Sequence, residues 1–205
     1  MYKKLLYSLL LCITLHAKQT HDLTLVSSID PSIIEELWYA TNKNFTKTQL
    51  YPKGTHAYLR PEVAQALSNA QKEFKTMGYG LKVWDAYRPH SVQFKMWDVV
   101  PDSRYVGDPH KGGPHNRGGA VDVTLINRKT GKELMMPTAF DDFSPKAHST
   151  YMKLPKKAIE NRTLFHKVML KHGFKNYAGE WWHFNYKKIK EYPILNVSFE
   201  ELEKA

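Results

Sequence analysis

The chain has 205 residues, with 30 lysines and arginines against 20 aspartates and glutamates, a formal charge of +10 and one cysteine, Cys12. A single thiol excludes an intramolecular disulfide framework and any thiolate metal cluster. The basic balance would suit a polyanion, but the lysines are scattered and form no single block, so a solvated basic surface is expected and nucleic acid is not a predicted partner.

Met-Tyr-Lys-Lys is a basic start, and LLYSLLLCITL follows it as an apolar run of about a dozen residues, the form of an export signal. The run is too short to span a bilayer comfortably. Leu10 and Leu11 stand before Cys12 where a lipoprotein signal needs small residues. Residues 1–17 are read as a signal peptide cut near Ala17, leaving a periplasmic or secreted chain with no stable membrane insertion. Cleavage removes Cys12, so any metal must be held by His, Asp or Glu. Residues 18–205 read as one domain, without repeats or linkers, and no protein partner is predicted.

Asp30-Pro31 has the form of a cap followed by a proline at the first helical position, predicting a short helix over 31–38. Residues 39–59 lack a clear period and are expected to wrap the core as extended chain. Pro61 opens a second helix, with Val63, Ala66, Leu67, Ala70, Phe74 and Met77 on one stripe and Gly78 as its stop. Residues 81–87 alternate as a strand ended by Arg88-Pro89, and Ser91 is placed as the cap of a short helix through Trp97. Residues 119–126 read as a strand, and 132–136 as its partner after the turn Lys129-Thr130-Gly131. A helix is expected over 156–172, with Ile159, Leu164, Val168 and Met169 inward and Gly173 ending it. WWHFNY, 181–186, reads as an aromatic strand. Helices and antiparallel strands without a βαβ rhythm define an α+β domain, a central antiparallel sheet flanked by helices.

Three stretches carry candidate chemistry. On the strand at 119–126, Val121, Val123 and Leu125 share the core face, while Ala120, Asp122 and Thr124 share the other. A lone carboxylate there is costly. Glycines at 112, 113, 118 and 119 let the preceding loop fold back, so that His115 can reach Asp122 with a cation between them. The alternative is an Asp122 bonded to loop amides, with His115 exposed. In Gly179-Glu180-Trp181-Trp182-His183 the odd spacing puts Glu180 and His183 on opposite strand faces, unless Glu180 sits at a bend before the strand. His183 would then be a third ligand, and Glu180, walled by aromatics, a general base with a raised pKa. The alternative is a core histidine and a solvated glutamate. Arg88, at the end of a core strand, is suited to an oxyanion or a carboxylate, or else pairs with Asp85. The other histidines, His110 and His148 included, are read as surface or core residues, and Trp181-Trp182 as core.

WDAYRP (84–89), PHNRGGAVDVTL (114–125) and GEWWHFNY (179–186), in this order, resemble the D-alanyl-D-alanine dipeptidases. These are zinc enzymes of the vancomycin-resistance and cell-wall-turnover type, related to D,D-carboxypeptidases. The likeness extends to Tyr39-Ala40-Thr41 with Asn44-Phe45, to Ala57-Tyr58-Leu59 and to Phe140-Asp141-Asp142-Phe143. It implies one zinc ion on His115, Asp122 and His183, Glu180 as the catalytic base and Arg88 stabilising the transition state. It also implies an acidic residue at the substrate's amino end, Asp141 or Asp142, and Tyr39 as a substrate-binding residue whose segment helps mark the dipeptidase branch. The implied reaction is hydrolysis of the D-alanyl-D-alanine dipeptide, a cell-wall precursor or turnover product. A D,D- or L,D-carboxypeptidase trimming stem peptides and a non-catalytic zinc-bearing envelope module are the alternatives. One departure stands out: the family pattern Ser-x-His is Gly113-Pro114-His115 here, without the hydroxyl.

Overall fold

The structure is a computed structural model that describes residues 22–204, so the expected export signal lies outside the described residues. In chain order the elements are β1 (Thr24–Leu25), α1 (Val26–Ile29), β2 (Ile34–Glu35), β3 (Tyr58–Leu59), α2 (Pro61–Thr76), β4 (Tyr79–Asp85), α3 (His90–Val99), β5 (Ala120–Asn127), α4 (Lys156–Lys171), β6 (Phe174–Asn176), β7 (His183–Tyr186) and α5 (Phe199–Glu203). A five-stranded sheet runs β2-β4-β5-β7-β6, and β1 pairs with β3 apart from it. Among the described residues no helix is long and apolar enough to cross a membrane.

The helix periods hold where the apolar stripe is long. Pro61 opens α2, and Val63, Ala66, Leu67, Ala70 and Phe74 are buried. Met77 falls beyond the last turn and is 40% exposed. Gly78 ends the helix at φ +81, a conformation that disfavours any side chain. In α4, Val168 and Met169 are buried, whereas Ile159 and Leu164 are only half-buried. The residue that fixes this helix to the sheet is Phe165, fully buried with its ring centroid 6.0 Å from that of Phe74 on α2 and 4.9 Å from that of Phe184 on β7.

Other expectations gave way to local chemistry. No helix forms over 31–38. The Asp30 carboxylate accepts the Ser32 N–H at 3.0 Å, a turn that competes with helix initiation, and Ile34–Glu35 then pair in parallel with Lys82–Val83. The sheet is therefore mixed at this edge and antiparallel elsewhere. Ser91 does not cap α3, which begins at His90; its N–H is taken by Asn196 Oδ1 at 2.7 Å. The partner expected over 132–136 shrinks to a bridge between Ile126 and Glu133, flanked by bonds from Asn127 N–H to Lys132 O and from Leu134 N–H to Leu125 O. The WWHFNY strand begins only at His183, with Trp181 and Trp182 in the turn before it.

One irregularity positions the site. Val83 pairs with Val123, but Asp85, not Trp84, pairs with Asp122, so two residues of β4 oppose one of β5. This bulge re-aims the strand. Without it Asp85 would point to the core face with Val83; with it, Asp85 joins Asp122 on the opposite face.

Phe165 touches no polar group of that opposite face. Phe165→Ala should cost about 3–5 kcal/mol in denaturant unfolding through the cavity left between α2 and the sheet.

Candidate metal centre and active site

Asp122 and His183 are direct cross-strand partners on β5 and β7, so their side chains share one face of the sheet. His115 comes from a short 3-10 turn, His115–Arg117, closed by Gly118 at φ +66. A Cβ at Gly118 would lie 2.5 Å from Leu23 Cδ2. Backbone bonds hold this loop at both ends: Arg60 N–H donates to Gly118 O at 2.9 Å and Arg88 N–H to His115 O at 3.2 Å. The Asn116 side chain accepts Gly113 N–H at 2.7 Å and donates to Arg88 O at 3.0 Å. The glycine-rich loop is thus a fixed bracket.

The three side chains meet as the sequence predicts. His183 Nδ1 lies 3.0 Å from Asp122 Oδ1, His115 Nε2 lies 3.3 Å from Asp122 Oδ2, and the two ring nitrogens are 3.2 Å apart. Their outer nitrogens decide the proton positions. His115 Nδ1 is 2.7 Å from the Ala86 carbonyl, which only accepts, and His183 Nε2 is 2.9 Å from Asn185 Oδ1. Each outer nitrogen is therefore placed to carry an N–H, which in the neutral ring leaves the inner nitrogen a lone pair. Two imidazole nitrogens and a buried carboxylate converge, an arrangement that fits a cation. Three donors about 2.1 Å from a tetrahedral centre would stand roughly 3.4 Å apart, close to the observed spacing. Among the described residues, this trio is the His, Cys, Asp or Glu cluster able to hold a metal.

Glu180 sits at the bend before β7, which resolves the odd spacing. Its Oε2 is 3.9 Å from His183 Nδ1. Burial pushes its pKa up to about 7; Asp122 and Asp141 add to the shift, and His183 and Arg88 oppose it. Arg88 satisfies both readings at once. It pairs with Asp85 through Nη2 at 2.6 Å and Nε at 3.2 Å, and it also lines the cleft. Its Nη1 donates to Gln93 Oε1 at 2.7 Å, and its guanidinium lies 5.1 Å from the centre of the Tyr39 ring. Asp85 accepts a further bond from Tyr51 OH at 2.7 Å.

The backbone sends the two aspartates in different directions. Asp141 adopts φ +57, which turns its side chain into the cleft, where both carboxylate oxygens accept from Tyr39 OH at 3.0 and 3.2 Å. Asp142 accepts Ser144 N–H at 2.7 Å and lines an adjoining cleft instead of this one. Burial pushes the Asp141 pKa up to about 7; the charge of Asp122 adds to this, while the Tyr39 hydrogen bond and Arg88 lower it. His110 and His148 do not line this cleft. Asn185 and Gln93 do positioning that the sequence did not assign, and Asp85 is the ion-pair partner that the sequence offered for Arg88. The cleft has a volume of about 270 Å³ and contains Arg88, His115, Asp122, Asp141, Glu180 and His183 together.

A His-Asp-His donor set beside a carboxylate of raised pKa and a fixed arginine defines a metal-dependent hydrolase. Residues 19–202 match the Peptidase_M15 family model, described as D-ala-D-ala dipeptidase, and the chain belongs to that family. It is 33% identical over 180 residues to a D-alanyl-D-alanine dipeptidase of Escherichia coli (strain K12), spanning 88% of this chain and 92% of that protein. It is likewise 33% identical over 181 residues to one of Enterococcus faecalis, spanning 78% and 89%. The solved LdcB LD-carboxypeptidase is similar at 20% identity and a TM-score of 0.47, over 91% of this chain and 79% of that one.

Two outcomes follow from this geometry. Asn185→Ala should weaken metal binding by about 10–100-fold, read by competition with a chromophoric chelator, because His183 loses the acceptor that fixes its tautomer. Asp141 has a folded pKa above its ordinary 3.8, so its contribution to stability is present at low pH and lost as pH rises through about 7. Asp141→Asn should therefore raise the melting temperature most at pH 8, and the gain should shrink toward pH 5.

Proposed function

We propose that this protein hydrolyses free D-alanyl-D-alanine with one zinc ion on His115, Asp122 and His183, and that it works outside the cytoplasm after export directed by residues 1–17. The observation that carries the reading is the convergence of two imidazole lone pairs and Asp122 beside Glu180. The dipeptidase names of the relatives support the substrate, and the signal-like start of the chain supports export. Such a substrate arises from cell-wall precursors or from peptidoglycan turnover.

Bound zinc would supply a Lewis acid and bring the pKa of a water close to neutrality. Glu180 takes the proton of the attacking water and returns it to the departing amine nitrogen. A carboxyl poised near pH 7 is suited to both transfers. Arg88 is held by Asp85, Gln93 and the Tyr39 ring, so its charge stands ready where the carbonyl oxygen becomes negative. Asp141 is the carboxylate in the cleft that neither holds metal nor moves the proton. Backed by the Tyr39 phenol, it pairs with the substrate's ammonium. Trp182, Met96 and Val106 supply apolar wall that keeps water from these charges.

Glu180→Ala should lower kcat for D-alanyl-D-alanine by about 100- to 10,000-fold while one zinc per chain remains bound, read by D-alanine release and atomic emission. Retained turnover would exclude Glu180 as the base. Arg88→Lys keeps the charge but loses the fork, and should lower kcat by about 100- to 1,000-fold with a much smaller change in KM.

A further inference from the structure

A second cleft lies against the first. The two share Arg104, Tyr105, Tyr177 and Glu180, and the second continues along Asp142, Phe143 and His148. What separates them is a row of rings. Tyr105 stacks on Phe143 with centroids 4.7 Å apart and planes at 25°. Phe143 meets Phe45 edge-on at 5.4 Å, and Phe45 meets Tyr39 at 6.2 Å. The row ends on the phenol that holds Asp141. Its outer end is covered by Arg104, 5.2 Å from the Tyr105 ring centre and ion-paired with Asp102.

The backbone makes this partition. With Asp141 at φ +57, its side chain enters the metal cleft while Asp142 and Phe143, the next two residues, face the second cleft. If Asp141 binds the substrate's ammonium, any acyl group on that nitrogen must run outward from Asp141. Tyr105 and Phe45 line the metal cleft, Tyr105 and Phe143 the second, so the Tyr105–Phe143 stack stands at the border between the two.

We propose that the Tyr105–Phe143 stack is a specificity-determining wall that shuts the amino side of the dipeptide cleft against acylated, peptide-extended substrates, and that the second cleft is the space such an extension would occupy. The proposal rests on the reading of Asp141 and of the dipeptide substrate given above. Tyr105 and Phe143 belong to different loops, so their stack is made by side chains and can be opened without touching β4, β5 or β7. Acylation also removes the charge that Asp141 pairs with, so opening the wall relieves only the steric part of the exclusion.

The test compares free D-alanyl-D-alanine with N-acetyl-D-alanyl-D-alanine. For each variant kcat/KM is measured with zinc-loaded protein, and Kd by calorimetry in the Glu180→Ala background. Tyr105→Ala and, independently, Phe143→Ala should raise the ratio of acetylated to free dipeptide by about tenfold or more in both measurements. Tyr105→Phe, which keeps the stack, should leave the ratio at the wild-type value. An unchanged ratio in both alanine variants, with melting temperature and zinc content preserved, would overturn the wall. So would a wild-type protein that takes both substrates equally. Absence of hydrolysis and binding of the free dipeptide itself would overturn the proposed function instead, so the two failures are distinct.

Discussion

The structure depends on a carboxylate placed where the fold can least tolerate it. Asp122 lies in the middle of β5, whose residues from Ala120 to Ile126 are all buried. An ionised group there is strongly unfavourable without a partner of opposite charge and a full set of hydrogen bonds. The β4 bulge sets a second buried carboxylate, Asp85, directly opposite. The two are neutralised differently. Asp85 has the guanidinium of Arg88 and the phenol of Tyr51. Asp122 has two imidazoles whose inner nitrogens, in the neutral rings, offer lone pairs to a cation that would balance its charge. The bracket at Gly118, the carbonyl of Ala86 and the amide of Asn185 all serve that one requirement.

The same burial gives the two remaining carboxyls their character. Glu180 and Asp141 are both raised to about 7, with desolvation as the main cause and Arg88 opposing it in each case. Their neighbours then divide their roles. Asp141 is hydrogen-bonded to Tyr39 and anchored in strained backbone, which suits a fixed charge partner. Glu180 has an open side toward His183, which suits a group that must gain and lose a proton.

Sequence reasoning reached the centre of the site because the relevant signals are short-range. Strand alternation separated Asp122 from its valine neighbours, glycines marked the turn that delivers His115, and Gly179 marked the bend at Glu180. The long periods of α2 and α4 were legible for the same reason. The α+β class was legible too, although the parallel pairing of β2 was not, because Asp30-Pro31 reads equally well as a helix cap or as a side-chain turn. Asp85 could be recognised only as a possible ion-pair partner, since nothing in WDAYRP announces a bulge. Asp141 and Asp142 were indistinguishable because a left-handed backbone at an aspartate leaves no mark in composition. Asn185 was within reach: it lies two residues after His183 and so on the same strand face. Gln93 was not, because its role depends on how a helix packs against Arg88.

The ring wall at the cleft mouth has a consequence for how this scaffold can diverge. The groups that hold metal and move protons come from β5, β7, the bend before β7 and a loop pinned by backbone bonds, whereas the ring stack at the rim joins surface loops through side chains. Exchanges at the rim can accumulate without disturbing the reactive groups, so one chemistry can be offered to a succession of substrates. Gly113, where the sequence departs from the Ser-x-His pattern, lines the cleft and is bonded to Asn116 in the loop that carries His115. A lineage built this way can change its diet before it changes its mechanism.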